Sequence, residues 1–313
     1  MKPRVALIIP YFGVLPHYFA YFVKSIATSP ILELLLFTDA EICVPLPKNV
    51  TVHRSSLSEF NELASRAVSV PVTSTNPYKI CDFRPAFGKV FQEYLRDFEF
   101  WAFGDIDLVY GDIAAFLEPL LHDHDVISCR SGWISGSLCV LRNCGKVNEL
   151  YRLSKDWQIV FTSPDPKLFD EMGGHLYQEV LKGADVLSLA GAVESFTHVV
   201  KRLAKEGSLR CAFHDLACEG IPWGETIDYN AGKLMRSSDG SQLMYLHYVV
   251  MKRRYFELPK VSRVPDHFFI RRTGVYLKRP DIRTVCSVEV ERVLRGSIHA
   301  SRRLLRRYIG EQH

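Results

Sequence analysis

Phe100-Trp101-Ala102-Phe103-Gly104-Asp105-Ile106-Asp107 is the stretch whose reading decides the fold. Four apolar residues run straight into a glycine and then two carboxylates. A short, continuous apolar run is how a strand covered on both faces reads, and such strands belong to parallel α/β sheets. In open α/β sheets, ligands bind just beyond the carboxyl ends of the strands, where the two carboxylates fall. Two residues apart on an extended backbone, Asp105 and Asp107 point to the same side. They can share one hard divalent cation, and their oxygens suit Mg²⁺ or Mn²⁺. The plain alternative is a loop with acidic capping residues, the part expected of Asp112 after Gly111.

Working outward, Val5-Ala6-Leu7-Ile8-Ile9 is a second apolar run and ends at Pro10-Tyr11-Phe12-Gly13. Residues 16–28 then read as a helix, with Tyr18, Phe22 and Ile26 spaced by four. Residues 32–38, ending at Asp39, and 50–53 read as further strands, so the order is strand, helix, strand. Phe83, Phe87, Val90, Phe91, Tyr94, Leu95 and Phe98 make one apolar stripe, which predicts a helix with Asp82 as its N-cap and Pro85 in its first turn. Residues 127–129, 137–141 and 243–251 read as later strands, and 290–309 as a basic helix. The expected fold class is α/β, with a mostly parallel central sheet flanked by helices and a helical C-terminal extension.

Of the 313 residues, 47% are apolar and 24% charged, which excludes a disordered chain and a polyelectrolyte. Charge is uneven: residues 252–313 hold 16 Lys+Arg against 6 Asp+Glu, and the preceding body holds 23 against 29. The basic end is either an amphipathic helix lying on an anionic membrane surface or a helix packed on the body with its arginines solvated. It is not interleaved with aromatics along a groove, so no nucleic-acid partner is expected. Eight cysteines without a C-x-x-C spacing read as reduced, mostly buried thiols. Pro10 cuts the first apolar run after five residues, so no secretory signal is read, and no 18-residue apolar segment spans a membrane. The expected location is therefore cytoplasmic, with peripheral contact to the inner face of the membrane if the basic end binds lipid.

The segment 100–112 resembles the D-x-D region of GT-A glycosyltransferases, in which an aromatic strand leads to a Gly, then D-x-D, then an aliphatic residue. Upstream, Tyr78-Lys79-Ile80-Cys81-Asp82-Phe83-Arg84 is similar to the K-x-x-D-x-x-R helix of the retaining branch, which includes capsular and lipopolysaccharide sugar transferases and the glycogenin-like enzymes. Here Arg84 follows Asp82 by two residues rather than three. Downstream, Ser135-Gly136-Ser137-Leu138-Cys139-Val140 is similar to the small-residue strand that lines the donor sugar. Leu246-His247-Tyr248-Val249-Val250-Met251-Lys252 resembles the late H-x(4-5)-K element. The flanking Gly and Pro-Trp of the glycogenin-like pattern are missing. The resemblance covers residues 5 to about 255. It implies a GT-A (nucleotide-diphospho-sugar transferase) fold in a catalytic domain over 1–255, followed by a basic extension over 256–313.

It further implies His247 as the third metal ligand beside Asp105 and Asp107, and Lys79, Asp82, Arg84, Gly136 and Lys252 as the donor-binding set. An imidazole suits Mn²⁺ better than Mg²⁺, so Mn²⁺ is the expected cofactor. His247 otherwise reads as a satisfied, half-buried histidine. Tyr11 and Phe12 either stack on a nucleobase or pack in the core. Asp170 and Glu171 are the catalytic candidates by family position. The competing reading makes them acids at a helix N-terminus. His214, Asp215, Glu219 and Trp223 carry groups suited to sugar recognition or to a surface loop, and His122 to Asp125 read as a solvated loop. The implied activity is transfer of a sugar from a nucleotide sugar, by family habit a UDP-sugar, to a glycan or lipid-linked acceptor with retention. The alternatives are a phosphatase or phosphotransferase with an Asp nucleophile, and a sugar-nucleotide-binding protein without turnover.

Overall fold

The computed structural model describes residues 5–174, 176–248, 256–261 and 263–280. The apolar runs become strands: β1 (Val5–Pro10), β2 (Leu32–Thr38), β3 (Val50–Arg54) and β4 (Phe100–Gly104). They are followed by β5 (Leu108–Tyr110), β6 (Val126–Ser128), β7 (Leu138–Arg142), β8 (Cys211–Phe213) and β9 (Ala217–Cys218). The late strands are β10 (Ile227–Asn230), β11 (Lys233–Arg236), β12 (Gln242–Leu243), β13 (Tyr245–His247), β14 (His267–Arg271) and β15 (Gly274–Tyr276).

The central sheet has the order β3-β2-β1-β4-β7-β6-β8. Its first four strands are mutually parallel, and β6 pairs β8 in parallel. Only β7 runs against its neighbours β4 and β6. The chain is thus a mixed α/β protein with a parallel-rich sheet. Alternation explains why β1 and β4 read as unbroken apolar runs. Ala6, Ile8, Trp101 and Phe103 enter the core on one face, while Val5, Leu7, Ile9, Phe100 and Ala102 enter the core on the other. Each fully buried side chain of this size contributes about 1.5–3 kcal/mol. Both faces must therefore stay covered, and the surface left for a ligand is the strands' carboxyl ends.

Most of the stripe over residues 83–98 is buried, with Phe83, Phe87, Val90, Phe91 and Leu95 in the core, whereas Tyr94 is exposed and Phe98 only partly buried. It is not one helix. A 3₁₀-helix over Pro77–Ala86 passes into a single α-turn, Phe87–Val90, and then a second 3₁₀ turn, Gln92–Tyr94. Pro85 has no N–H for an α-ladder and its ring crowds the preceding turn. The cap is Asn76, whose side chain accepts from the Tyr78 N–H at 3.0 Å, so Asp82 is not an N-cap.

Two further sheets complete the described fold. One is antiparallel with the order β12-β11-β10-β14-β15; the other has the order β5-β13-β9. The single late strand expected over 243–251 is split between them, with β12 on β11 and β13 between β5 and β9. Residues 256–280, expected as the start of a helical extension, instead supply β14 and β15. β14 pairs with β10, and Phe268 stacks on Tyr229 at 4.4 Å. The basic helix expected over 290–309 lies outside the described residues. Seven cysteines fall within them and all are free thiols. Cys129, Cys139 and Cys218 are buried, whereas Cys43 and Cys144 are exposed. Among the described residues, no helix is long and apolar enough to cross a membrane.

Candidate metal centre

β4 delivers Asp105 beside β7 because residue 104 is a glycine. A Cβ there would stand 2.7 Å from the Ser137 carbonyl oxygen. The next amide, Asp105 N–H, donates to that same oxygen at 3.1 Å. Past Asp107 the chain enters β5, which pairs with β13 so that Leu108 faces His247. The Tyr248 N–H donates to the Asp107 carbonyl at 3.2 Å. A strand 140 residues downstream is thereby laid against the acidic loop, and His247 joins Asp105 and Asp107.

One ligand atom from each of the three residues lies within 4.8 Å of the others. His247 Nε2 is 3.4 Å from Asp107 Oδ1 and 3.7 Å from Asp105 Oδ2, buried and without a hydrogen-bond partner among the described residues. Burial alone would lower the imidazole pKa. The carboxylates of Asp107, Glu219 and Asp105 outweigh it and push it up to about 9. Two carboxylates and a buried ring nitrogen converging on one point call for positive charge there. Two ligands of one ion lie at most two bond lengths apart, roughly 4–5 Å for hard divalent cations, so the three atoms fit a single ion. Oxygen–oxygen–imidazole is a donor set that suits Mn²⁺.

Arg84 ties this centre to the catalytic candidates. Its guanidinium donates to the Asp105 carboxylate, to Gly136 O at 3.0 Å and to Asp170 Oδ2 at 3.0 Å. Asp170 is 2% exposed, and its Oδ1 has no hydrogen-bond partner among the described residues. Burial holds its carboxyl well above the usual range against the pull of Arg84. Burial also raises the Glu171 carboxyl, opposed by hydrogen bonds from the Tyr177 hydroxyl and the Gly136 N–H. Gly136 is the wedge between them, since a Cβ would stand 3.0 Å from Arg84 Nη1 and 3.1 Å from Glu171 Oε1. Asp170 and Glu171 lie in a turn and not at a helix N-terminus.

Lys79 and Asp82 are engaged elsewhere. Both are fully buried, and Lys79 Nζ donates to Asp82 Oδ2 at 2.7 Å, Val160 O at 2.6 Å and Asp165 O at 2.9 Å. Asp82 also accepts the Lys167 and Phe169 N–H groups at 2.8 Å. All three N–H groups of Lys79 are taken, so in place of the donor contact implied by the resemblance Lys79 clamps the loop leading to Asp170. Above the centre opens a cleft of about 320 Å³ whose wall includes Tyr11, Phe12, Tyr18, Tyr78, Arg84 and Asp107. Tyr11 faces it, and its phenol pKa is raised by burial and by the nearby Asp107. Phe12 is mostly core, packed 6.2 Å from the Phe60 ring. Lys252 lies outside the described residues.

Sequence reasoning missed Tyr18 and Tyr78 on the wall. It also left Glu219 undecided between sugar recognition and a loop, whereas its Oε1 is 3.4 Å from His247 Nδ1. The only signal for Glu219 was its place in an irregular, acid-bearing stretch. His122 and Asp123 are exposed, as a solvated loop requires, while Asp125 binds Arg142 and Arg210.

The fold and site define a mixed α/β protein with an acidic, histidine-completed centre at the carboxyl edge of its main sheet. The chain belongs to a family of unknown function, DUF6625, whose model matches residues 7–279. No curated protein matches it. Among solved structures it is similar to the apo form of mouse xyloside xylosyltransferase 1, with 10% identity, a TM-score of 0.42, and coverage of 79% of this chain and 99% of that one. It is also similar to the apo-form glycosyltransferase GlyE of Streptococcus pneumoniae TIGR4. There the identity is 12% and the TM-score 0.32, over 69% of this chain and 46% of that one.

Proposed function

We propose that the protein is a metal-dependent glycosyltransferase that moves a sugar from a nucleoside diphosphate donor, a UDP-sugar by family resemblance, to a glycan or lipid-linked acceptor. The observation that carries this reading is the convergence of Asp105, Asp107 and the distant His247 on one point, with the two carboxylates lining a cleft walled by Tyr11, Tyr18 and Tyr78. These three residues would hold Mn²⁺, or Mg²⁺, which when bound neutralises the diphosphate leaving group. Tyr11 and Tyr78 offer faces for a nucleobase. Arg84 keeps Asp105 oriented and donates to the buried Asp170. Asp170 and Glu171, held by Arg84 and Gly136, are the groups proposed to face the transferred sugar. Lys79 and Asp82 hold the loop on which those two carboxyls sit.

The test is a thermal-shift panel of UDP, GDP, CDP and CMP, each with and without Mn²⁺, followed by nucleotide-sugar hydrolysis. Stabilisation by one nucleoside diphosphate only when Mn²⁺ is present, together with slow donor hydrolysis, is the expected result. Turnover of simple phosphomonoesters without a nucleotide would instead establish a phosphatase. Nucleotide binding without turnover of any nucleotide sugar would leave a binding protein.

A further inference from the structure

β9 and β13 run parallel with Leu246 opposite Cys218, so the next residues, His247 and Glu219, stand side by side. His247 Nδ1 is 3.4 Å from Glu219 Oε1, within hydrogen-bond reach. The other Glu219 oxygen takes an N–H of Arg130. The Arg130 guanidinium lies 3.9 Å from Asp215 and over the Trp133 ring at 5.5 Å. Asp215 in turn accepts the backbone N–H and the hydroxyl of Ser131. A chain of charge-assisted contacts therefore runs from the Ser131 loop to the back of the imidazole, while the front nitrogen is buried, without a hydrogen-bond partner among the described residues, and aimed at two carboxylates.

An imidazole without a partner can carry its proton on either nitrogen, and only the tautomer with a bare Nε2 can bind a cation between Asp105 and Asp107. A carboxylate at Nδ1 selects that tautomer, fixes the ring's rotation and strengthens Nε2 as a donor. Resting on the metal-centre reading above, we infer that Glu219 is a positioning residue for the metal: it holds His247 with Nδ1–H turned away from the acidic pair, and Arg130 holds Glu219.

The experiment is a titration of the full chain with Mn²⁺ alone, followed by electron paramagnetic resonance, and ¹⁵N-histidine spectra of the Mg²⁺-loaded protein. The variants are Glu219→Ala, Glu219→Gln and Asp107→Ala. Loss of such an outer carboxylate weakens metal affinity by about 10–100-fold, which is the expectation for Glu219→Ala. Glu219→Gln should recover part of that loss, because its amide oxygen still accepts the Nδ1–H, and being isosteric it keeps the fold if Glu219→Ala does not. The spectra should show His247 protonated at Nδ1 in the parent and a mixture of tautomers in Glu219→Ala. Mn²⁺ affinity and tautomer unchanged in both Glu219 variants, with binding lost in Asp107→Ala, would overturn the positioning role and leave the metal centre standing. No Mn²⁺ binding by the parent chain would overturn both.

Discussion

Arg84 carries two loads at once, and they separate on substitution. It faces Asp105 on the cleft side and Asp170 on the buried side. Removing one partner of a buried pair leaves the other charge uncompensated, at about 3–5 kcal/mol. Arg84→Ala should therefore lower the unfolding free energy at pH 7 by about 3 kcal/mol in urea titrations. Asp170 already has a raised folded-state carboxyl pKa, and without Arg84 it rises further. An acid whose folded pKa lies above its unfolded value, about 3.9, adds no penalty below that value and a growing one as pH rises through it. The deficit of Arg84→Ala should thus be small near pH 4 and largest at neutral pH. A deficit that grew on acidification would contradict this placement of Asp170. Gly136→Ala tests the wedge from the other side. Its methyl group presses on Arg84 and Glu171, an overpacking cost of about 1–3 kcal/mol, with Mn²⁺ binding weakened through the displaced Asp105.

At the scale of elements, the short 3₁₀ segment Pro77–Ala86 matters more than its length suggests. Lys79 and Asp82 from this segment hold the backbone at Val160, Asp165, Lys167 and Phe169. Lys79→Met fills the volume but strands Asp82 without its counter-charge. We expect a loss of about 3 kcal/mol and faster proteolytic cleavage within residues 163–168. Unchanged stability and cleavage would show that the clamp is dispensable. The end of β4 is the second sensitive element. Gly104→Ala forces β4 and β7 apart where Asp105 begins, so Mn²⁺ affinity should fall although no ligand is changed. Asp105 and Asp107 were legible because they follow a run that can only be a buried strand. Lys79 and Asp82 were legible as a motif but not as a clamp, since their partners lie about 80 residues downstream.

For the whole molecule, the centre joins the end of β4 in the main sheet to β13 in the β5-β13-β9 sheet. A ligand that binds only the native state stabilises it by about 2.7 kcal/mol at one hundred times its dissociation constant. UDP with Mn²⁺ at that excess should raise the midpoint of thermal unfolding, and Asp107→Ala or added EDTA should abolish the rise. A rise that survives both would place nucleotide binding away from Asp105 and Asp107. The late sheet was the least visible part of the fold. Its strands β10, β11, β12, β14 and β15 are short and carry Lys233, Arg236, Gln242 and His267 among their apolar residues, so no continuous run marks them. The basic end over 256–313 read as a helical extension, whereas 267–271 and 274–276 within it pair as β14 and β15.

Sequence alone determined what local physics can determine. Unbroken apolar runs require strands covered on both faces, such strands require a parallel-rich sheet, and the carboxylates just beyond one of them require a place at its open edge. Which distant residues reach that edge depends on how the chain folds back on itself. His247 meets Asp107 through the pairing of β13 with β5, and Glu219 meets His247 through the pairing of β9 with β13. Register between such strands, 140 residues apart for Asp107 and His247 and 28 for Glu219 and His247, is fixed by packing across the whole fold and leaves no mark in the spacing of either segment. Lys79 likewise carries the same charge whether it faces a phosphate or three buried oxygens, and only the folded neighbourhood decides between them.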